Sequence, residues 1–186
     1  MIQVRPARPA DAVAIAAVHV AVWRTAYAGI LPDTYLSRMS AARHASHYGA
    51  GIRAGVGVFV ATASEEDLPP ESASRVVGFT TAGRARGAGR TLAEGEVETL
   101  YVLDDWRDRG IGRALIRGAA EHLRGLGCRS AYLWVLRDNP SRWFYQRLGG
   151  RPVMEMEILV ASQPVIQTAF AWDPIDRLLT ATTQGA

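Results

Sequence analysis

The chain has 186 residues, 48% hydrophobic and 21% charged, enough for one sizeable core and unlike a disordered or membrane-spanning composition. Its 21 Lys and Arg against 18 Asp and Glu leave a net charge of +3, too slight to call for a nucleic acid or an anionic membrane. The single cysteine, Cys128, excludes an internal disulfide and suits a reducing, cytoplasmic setting.

Residues 2–5 alternate like a short strand. Ile15, Val18 and Val22 then recur at helical spacing, which predicts an amphipathic helix over residues 11–26 capped by Asp11. Its apolar run is too short to span a bilayer, and Asp11 and His19 spoil it as a signal-peptide core. Pro32, Asp33 and Thr34 announce a helix start, predicting short helices over residues 35–39 and 40–52. Residues 56–62 and 75–82 read as a strand pair joined by a polar, proline-containing loop. The glycine- and arginine-rich residues 83–90 read as a flexible hairpin loop rather than a nucleic-acid-binding tract. A strand over residues 95–102 precedes a helix that opens at Gly110. That helix carries Ile111, Ala114, Leu115, Ala119, Leu123 and Leu126 along one face and closes at Gly127. A buried strand over 131–136, a helix over 139–148 ended by Gly149, and strands over 153–160 and 165–172 complete the pattern. There is no repeat and no linker, so residues 1–186 are expected to form one domain. A strand–helix–strand unit between antiparallel hairpins implies an α/β (α+β) fold. Its sheet is mixed, mostly antiparallel and of about seven strands, with helices on both faces.

Glycine is a poor helix former, yet Gly110 and Gly112 stand where the helix begins, among Arg107, Arg109 and Arg113. A helix N-terminus offers unpaired N–H groups and the positive end of the dipole, and an approaching diphosphate needs the space a Cβ would fill. A nucleoside-triphosphate loop would require Gly-Lys-Ser/Thr, which is absent, and the dinucleotide fingerprint would require a third glycine where Leu115 stands. What remains is Arg-x-x-Gly-x-Gly, over residues 107–112.

The wider context of that motif, "LYVLDDWRDRGIGRALI" followed by "LWVLRDNPSRWFYQRLGG", resembles the GNAT superfamily of acyl-CoA-dependent N-acyltransferases. Weaker likeness extends to "AVWRTAYAGILPDTYL" and "AFAWDPIDRL". The resemblance implies that two central parallel strands splay apart and take the pantetheine arm of acetyl-CoA against Leu100, Tyr101 and Val102. It also implies that backbone groups of Arg107, Asp108, Arg109, Gly110, Ile111, Gly112 and Arg113 hold the diphosphate. No metal and no covalent enzyme intermediate are implied; an acceptor amine attacks the thioester directly. Glu96 falls where many members carry the general base. Glu98 is the second candidate, on the same face because strand side chains alternate. Tyr145 matches the general-acid tyrosine. Asn139 resembles the asparagine that contacts the coenzyme arm, although it stands one residue closer to Tyr145 than the commoner family spacing.

The resemblance thus implies acetyl transfer to a primary amine, with a small-molecule acceptor expected. Protein N-termini or lysines are the alternative acceptors, and a non-catalytic acyl-CoA-binding regulator is the alternative role. Neither nucleic acid nor membrane is expected as a partner, and a homodimer is compatible with the sequence. Trp23, Tyr27, Tyr35 and Trp134 are candidates for the acceptor pocket but read more readily as core. His44 and His47, three residues apart, have metal-compatible spacing without an acidic or cysteine companion and read as surface or packed residues. Cys128 reads as buried and inert.

Overall fold

Seven strands form one sheet in the order β1-β2-β3-β4-β5-β7-β6, in a computed structural model that describes residues 1–64 and 76–183. They are β1 (Ile2–Pro6), β2 (Gly57–Ala63), β3 (Val76–Arg84), β4 (Gly95–Val102), β5 (Ala131–Leu136), β6 (Arg151–Val160) and β7 (Gln163–Trp172). The helices are α1 (Ala12–Ala26), α2 (Asp33–Ser37), α3 (Ala41–Arg53), α4 (Ile111–Gly125), α5 (Arg142–Arg147) and α6 (Asp176–Thr183). The polar loop expected between β2 and β3 lies, after Ser64, outside the described residues.

Each helix forms where its apolar stripe meets the sheet. Ile15, Val18 and Val22 of α1 and Tyr48 of α3 pack on Val58, Val60 and Phe79 of β2 and β3. On the opposite face Ile116, Ala119 and Leu123 of α4 pack with Val97, Leu133, Phe170 and Trp172. Ile116 and Leu123 are fully buried, a burial worth about 1.5–3 kcal/mol for each such side chain. Helices therefore cover both faces of a mixed sheet in which β4 and β5 are the parallel neighbours.

Three local expectations are revised. Asp11 does not cap α1 with its side chain; its carboxylate accepts from the Arg8 N–H at 2.7 Å and pairs with both terminal nitrogens of Arg5 at 2.8 and 2.9 Å. Residues 83–90 are more ordered than a loose loop, because Arg84 ends β3 and Gly87–Thr91 form a 3-10 turn. The chain does not end on a strand: α6 follows β7 and buries Leu178 and Leu179 against the α4 core.

Two irregularities in β4 shape the site. Thr81 pairs with Thr99 and Ala82 with Val97, so Glu98 is an extra residue with no opposite number on β3. The Thr80 hydroxyl donates to the Thr99 carbonyl at 2.7 Å, and the hydroxyls of Thr81 and Thr99 meet at 2.8 Å, pinning this bulge. Beyond it the alternation is inverted. Val97 faces the α4 core, whereas Tyr101 packs against the core of α1 and α3. In addition, β4 pairs with β5 only at Gly95↔Ala131 and Glu96↔Tyr132, after which the strands part.

Candidate active site

Where β4 and β5 separate, a cavity of about 760 Å³ opens. Leu100, Tyr101 and Val102 line it, on the part of β4 that has left β5. A strand whose backbone has lost its neighbour keeps hydrogen-bonding groups for something else. Arg107, Asp108, Gly110, Ile111, Gly112 and Arg113 of the loop line the same cavity; Arg109 does not, its guanidinium lying 4.8 Å from the Trp106 ring centroid.

The two glycines serve different ends. Gly110 sits at φ 75° as the N-cap of α4, and Asp108 also has a positive φ of 58°. A left-handed backbone at the cap is what the glycine permits, since a Cβ there would meet nothing within 4 Å. At Gly112 a Cβ would reach the Phe144 ring at 3.4 Å, ordinary contact that fills the space between the helix start and α5. Arg107 is ion-paired with Asp104 at 2.7 Å, which spends part of its charge inside the loop.

Glu96 and Glu98 lie on the side of the sheet away from α4 and differ in surroundings. Glu96 is half-buried, and burial is the main influence that lifts its carboxyl above the ordinary range; a hydrogen bond with the Tyr132 hydroxyl opposes the lift and the charge of Glu98 adds to it. Glu98 is more open and lines the cavity, and its carboxylate is ion-paired with Arg86 from the β3–β4 connection. Sequence reading missed both partners. Tyr132 stands opposite Glu96 in a parallel register that only the fold reveals, and Arg86 lies inside a tract that reads as loop.

Tyr145, on the short helix α5, is 7% exposed and lines the cavity; burial pushes its phenol well above the ordinary value, so it stays protonated across the accessible pH range. Asn139, also buried, turns its Oδ1 to the Ser141 N–H at 2.9 Å and lies beside the Tyr27 hydroxyl. It thus holds the turn that leads into α5, next to the end of α1.

The opposite end of the cavity is walled by Val22, Trp23 and Ala26 of α1, Tyr27 at its C-cap, Leu31, Trp134 and Leu136 of β5, and Ile158, Val160 and Gln167 of the β6–β7 hairpin. Trp23, Tyr27 and Trp134 therefore line the pocket as well as pack, while Tyr35 is 38% exposed and lies away from it. The Trp23 indole lies by the Tyr101 phenol, yet its buried N–H makes no well-formed hydrogen bond.

His44 is a packing residue: its ring stacks on buried His19 at 4.0 Å between centroids, and the His19 Nδ1 meets the Tyr48 hydroxyl at 2.7 Å. Among the described residues no group of three or more His, Cys, Asp or Glu side chains could hold a metal ion. Cys128 is buried, its thiol pushed up by that burial and directed at the Glu94 carbonyl at 3.6 Å. No described helix is long and apolar enough to cross a membrane.

Relatives share this architecture. Residues 23–150 match the acetyltransferase (GNAT) family. The uncharacterized N-acetyltransferase YuaI of Bacillus subtilis (strain 168) is 32% identical over 180 residues, 97% of this chain and 98% of its own length. Among solved structures, the putative acetyltransferase yncA of Salmonella typhimurium, in complex with its cofactor acetyl-CoA, superposes with a TM-score of 0.66 at 22% identity, over 92% of this chain and 93% of that one. Arabidopsis thaliana NAA60, bound to a bisubstrate analogue, superposes with a TM-score of 0.67 at 22% identity, over 93% and 98%. The split sheet, the glycine-opened helix and the family match along most of the chain lead to one conclusion: this chain belongs to the GNAT acetyltransferase family and is an N-acetyltransferase.

Proposed function

We propose that the protein transfers the acetyl group of acetyl-CoA to a small-molecule primary amine by direct attack, with Glu96 as the principal base, Glu98 as the second carboxylate and Tyr145 as the acid. The observation that carries this reading is the cavity at the β4–β5 parting, which has Tyr145 and Glu98 on its wall; Glu96 stands two residues before Glu98 on β4, behind the lining residues at the last paired position of β4 and β5. Acetyl-CoA fits the residues present. The unpaired stretch of β4 offers backbone groups to an amide-bearing arm, and the helix start at Gly110 offers N–H groups to a diphosphate.

An alkylamine with a pKa of about 10.4 is unprotonated in only about one molecule in 10³ at neutral pH, so a positioned base has a definite task. A carboxyl raised by burial, as Glu96 is, accepts a proton more readily than an ordinary glutamate. The ammonium proton passes to Glu96, directly or through one water. The freed nitrogen forms its bond to the acetyl carbon, and the carbon–sulfur bond breaks. The Tyr145 phenol, protonated at every relevant pH, gives its proton to the departing thiolate, and the second proton lost by the attacking nitrogen as it becomes an amide returns, through water, to the tyrosinate and restores the phenol.

The test is release of free thiol from acetyl-CoA in the presence of amines, measured for wild type and Tyr145→Phe. Turnover is expected in the wild type and a loss of roughly 10² or more in kcat in the variant, with coenzyme affinity little changed. Undiminished kcat in Tyr145→Phe would assign that residue to packing, and coenzyme binding without thiol release would favour an acyl-CoA-binding regulator.

A further inference from the structure

The acceptor end of the cavity is chemically lopsided. Trp23, Tyr27, Trp134, Leu136 and Ile158 present rings and aliphatic side chains, and Gln167 adds a neutral amide. Among the described residues that line this end, Glu98 alone carries a charge; the cavity's arginines, Arg107, Arg113 and Arg147, belong to the α4 loop and to α5. Glu98 also has a cation against it already, the Arg86 guanidinium brought over by the β3–β4 connection. Arg86 is 75% exposed at its side chain and reaches the carboxylate from outside, so it can be exchanged for another cation.

We infer that the acceptor is a primary amine borne on an apolar, ring-sized body without an anionic group, its ammonium replacing Arg86 at Glu98 and its body lying between Trp23 and Trp134. The inference rests on the acetyltransferase reading and narrows it. A cation meets Glu98 at the β4 side of the cavity, and apolar rings meet a body that needs no polar partner. A carboxylate or phosphate next to the amine would enter the same apolar end and face Glu98 itself; the one cation nearby, the Arg86 guanidinium displaced from Glu98, is three-quarters exposed and lies outside the lining residues. Burying such a charge unpaired is costly. A polyamine would place its further ammonium groups against rings and aliphatic side chains, with one carboxylate to share.

The experiment uses the full chain and thiol release from acetyl-CoA with phenethylamine, phenylalanine, spermidine and a short peptide with a free N-terminus. Phenethylamine and phenylalanine differ only in the carboxylate. The expected result is a kcat/KM for phenethylamine at least roughly tenfold above each of the others, together with a higher KM for phenethylamine in Trp134→Ala and an unchanged KM for acetyl-CoA. If phenylalanine, spermidine or the peptide is the preferred acceptor, the inference is overturned while acetyl transfer stands. If no amine of any class releases thiol although acetyl-CoA binds by calorimetry, both fall.

Discussion

Glu96 and Glu98 stand two residues apart, yet one is half-buried beside a tyrosine hydroxyl and the other is open and ion-paired to an arginine. This difference gives a pH signature. Because burial raises the Glu96 carboxyl above its ordinary 4.5, its base form should accumulate, and kcat/KM should climb, over a range shifted upward from that of a free glutamate. In Glu96→Gln that acid limb should vanish and the rate should fall by roughly 10²–10⁴ near neutrality. The deficit should then shrink as pH approaches the amine's own pKa, where solvent supplies the free base. A pH–rate profile of wild type, Glu96→Gln and Glu98→Gln checks this; an unchanged acid limb in Glu96→Gln would move the role to Glu98. The types and positions of these residues were legible in the sequence. Their partners were not, because Tyr132 and Arg86 approach from a neighbouring strand and a connection whose courses no local pattern encodes.

Helix α5 is only six residues long, and its placement of Tyr145 depends on the turn at each end. Asn139 braces the entry, and Gly150 fits the exit closely: a Cβ there would lie 2.7 Å from the Trp172 ring and 2.9 Å from the Tyr145 carbonyl. Trp172 cannot swing aside without losing the 2.8 Å hydrogen bond from its indole N–H to the Leu148 carbonyl. Gly150→Ala should therefore cost about 1–3 kcal/mol of stability and lower kcat by displacing Tyr145, which chemical denaturation and steady-state kinetics would report together. Elements with strong periodicity were readable from sequence: α1, α4 and β5 appear close to where their patterns put them. Helix α6 was not, because Asp173, Pro174 and Ile175 separate it from β7 and its eight residues offer barely two turns of pattern. The bulge at Glu98 was equally hidden, since it is set by pairing with Thr81 and Ala82 rather than by residue type.

The buried ring cluster behind the acceptor wall ties stability of the whole domain to acidity. Burial, with the nearby charges of His44 and His47 adding, lowers the His19 imidazole from 6.5 to about 3. Between those values the unfolded chain binds a proton that the folded chain refuses, so stability is fully present above about 6.5 and is lost as pH falls toward 3. The loss should reach roughly 2–4 kcal/mol, and urea midpoints measured across that window should fall more steeply in wild type than in His19→Gln. Equal slopes would remove His19 from the acid response. The fold class was legible because the order of strands and helices, with one crossover, admits few sheets. The parting of β4 and β5 entered the sequence reading only through family resemblance, since it consists of hydrogen bonds that are not made. The bulge at Glu98 has a final consequence for the molecule's history. It assigns Val97 to one helical layer and Tyr101 to the other by a count of residues, not by their identity. Point substitutions in β4 keep that assignment as long as the count is kept; the loss or gain of a single codon between Val97 and Tyr101 would turn the strand beyond it to the opposite layers in one step.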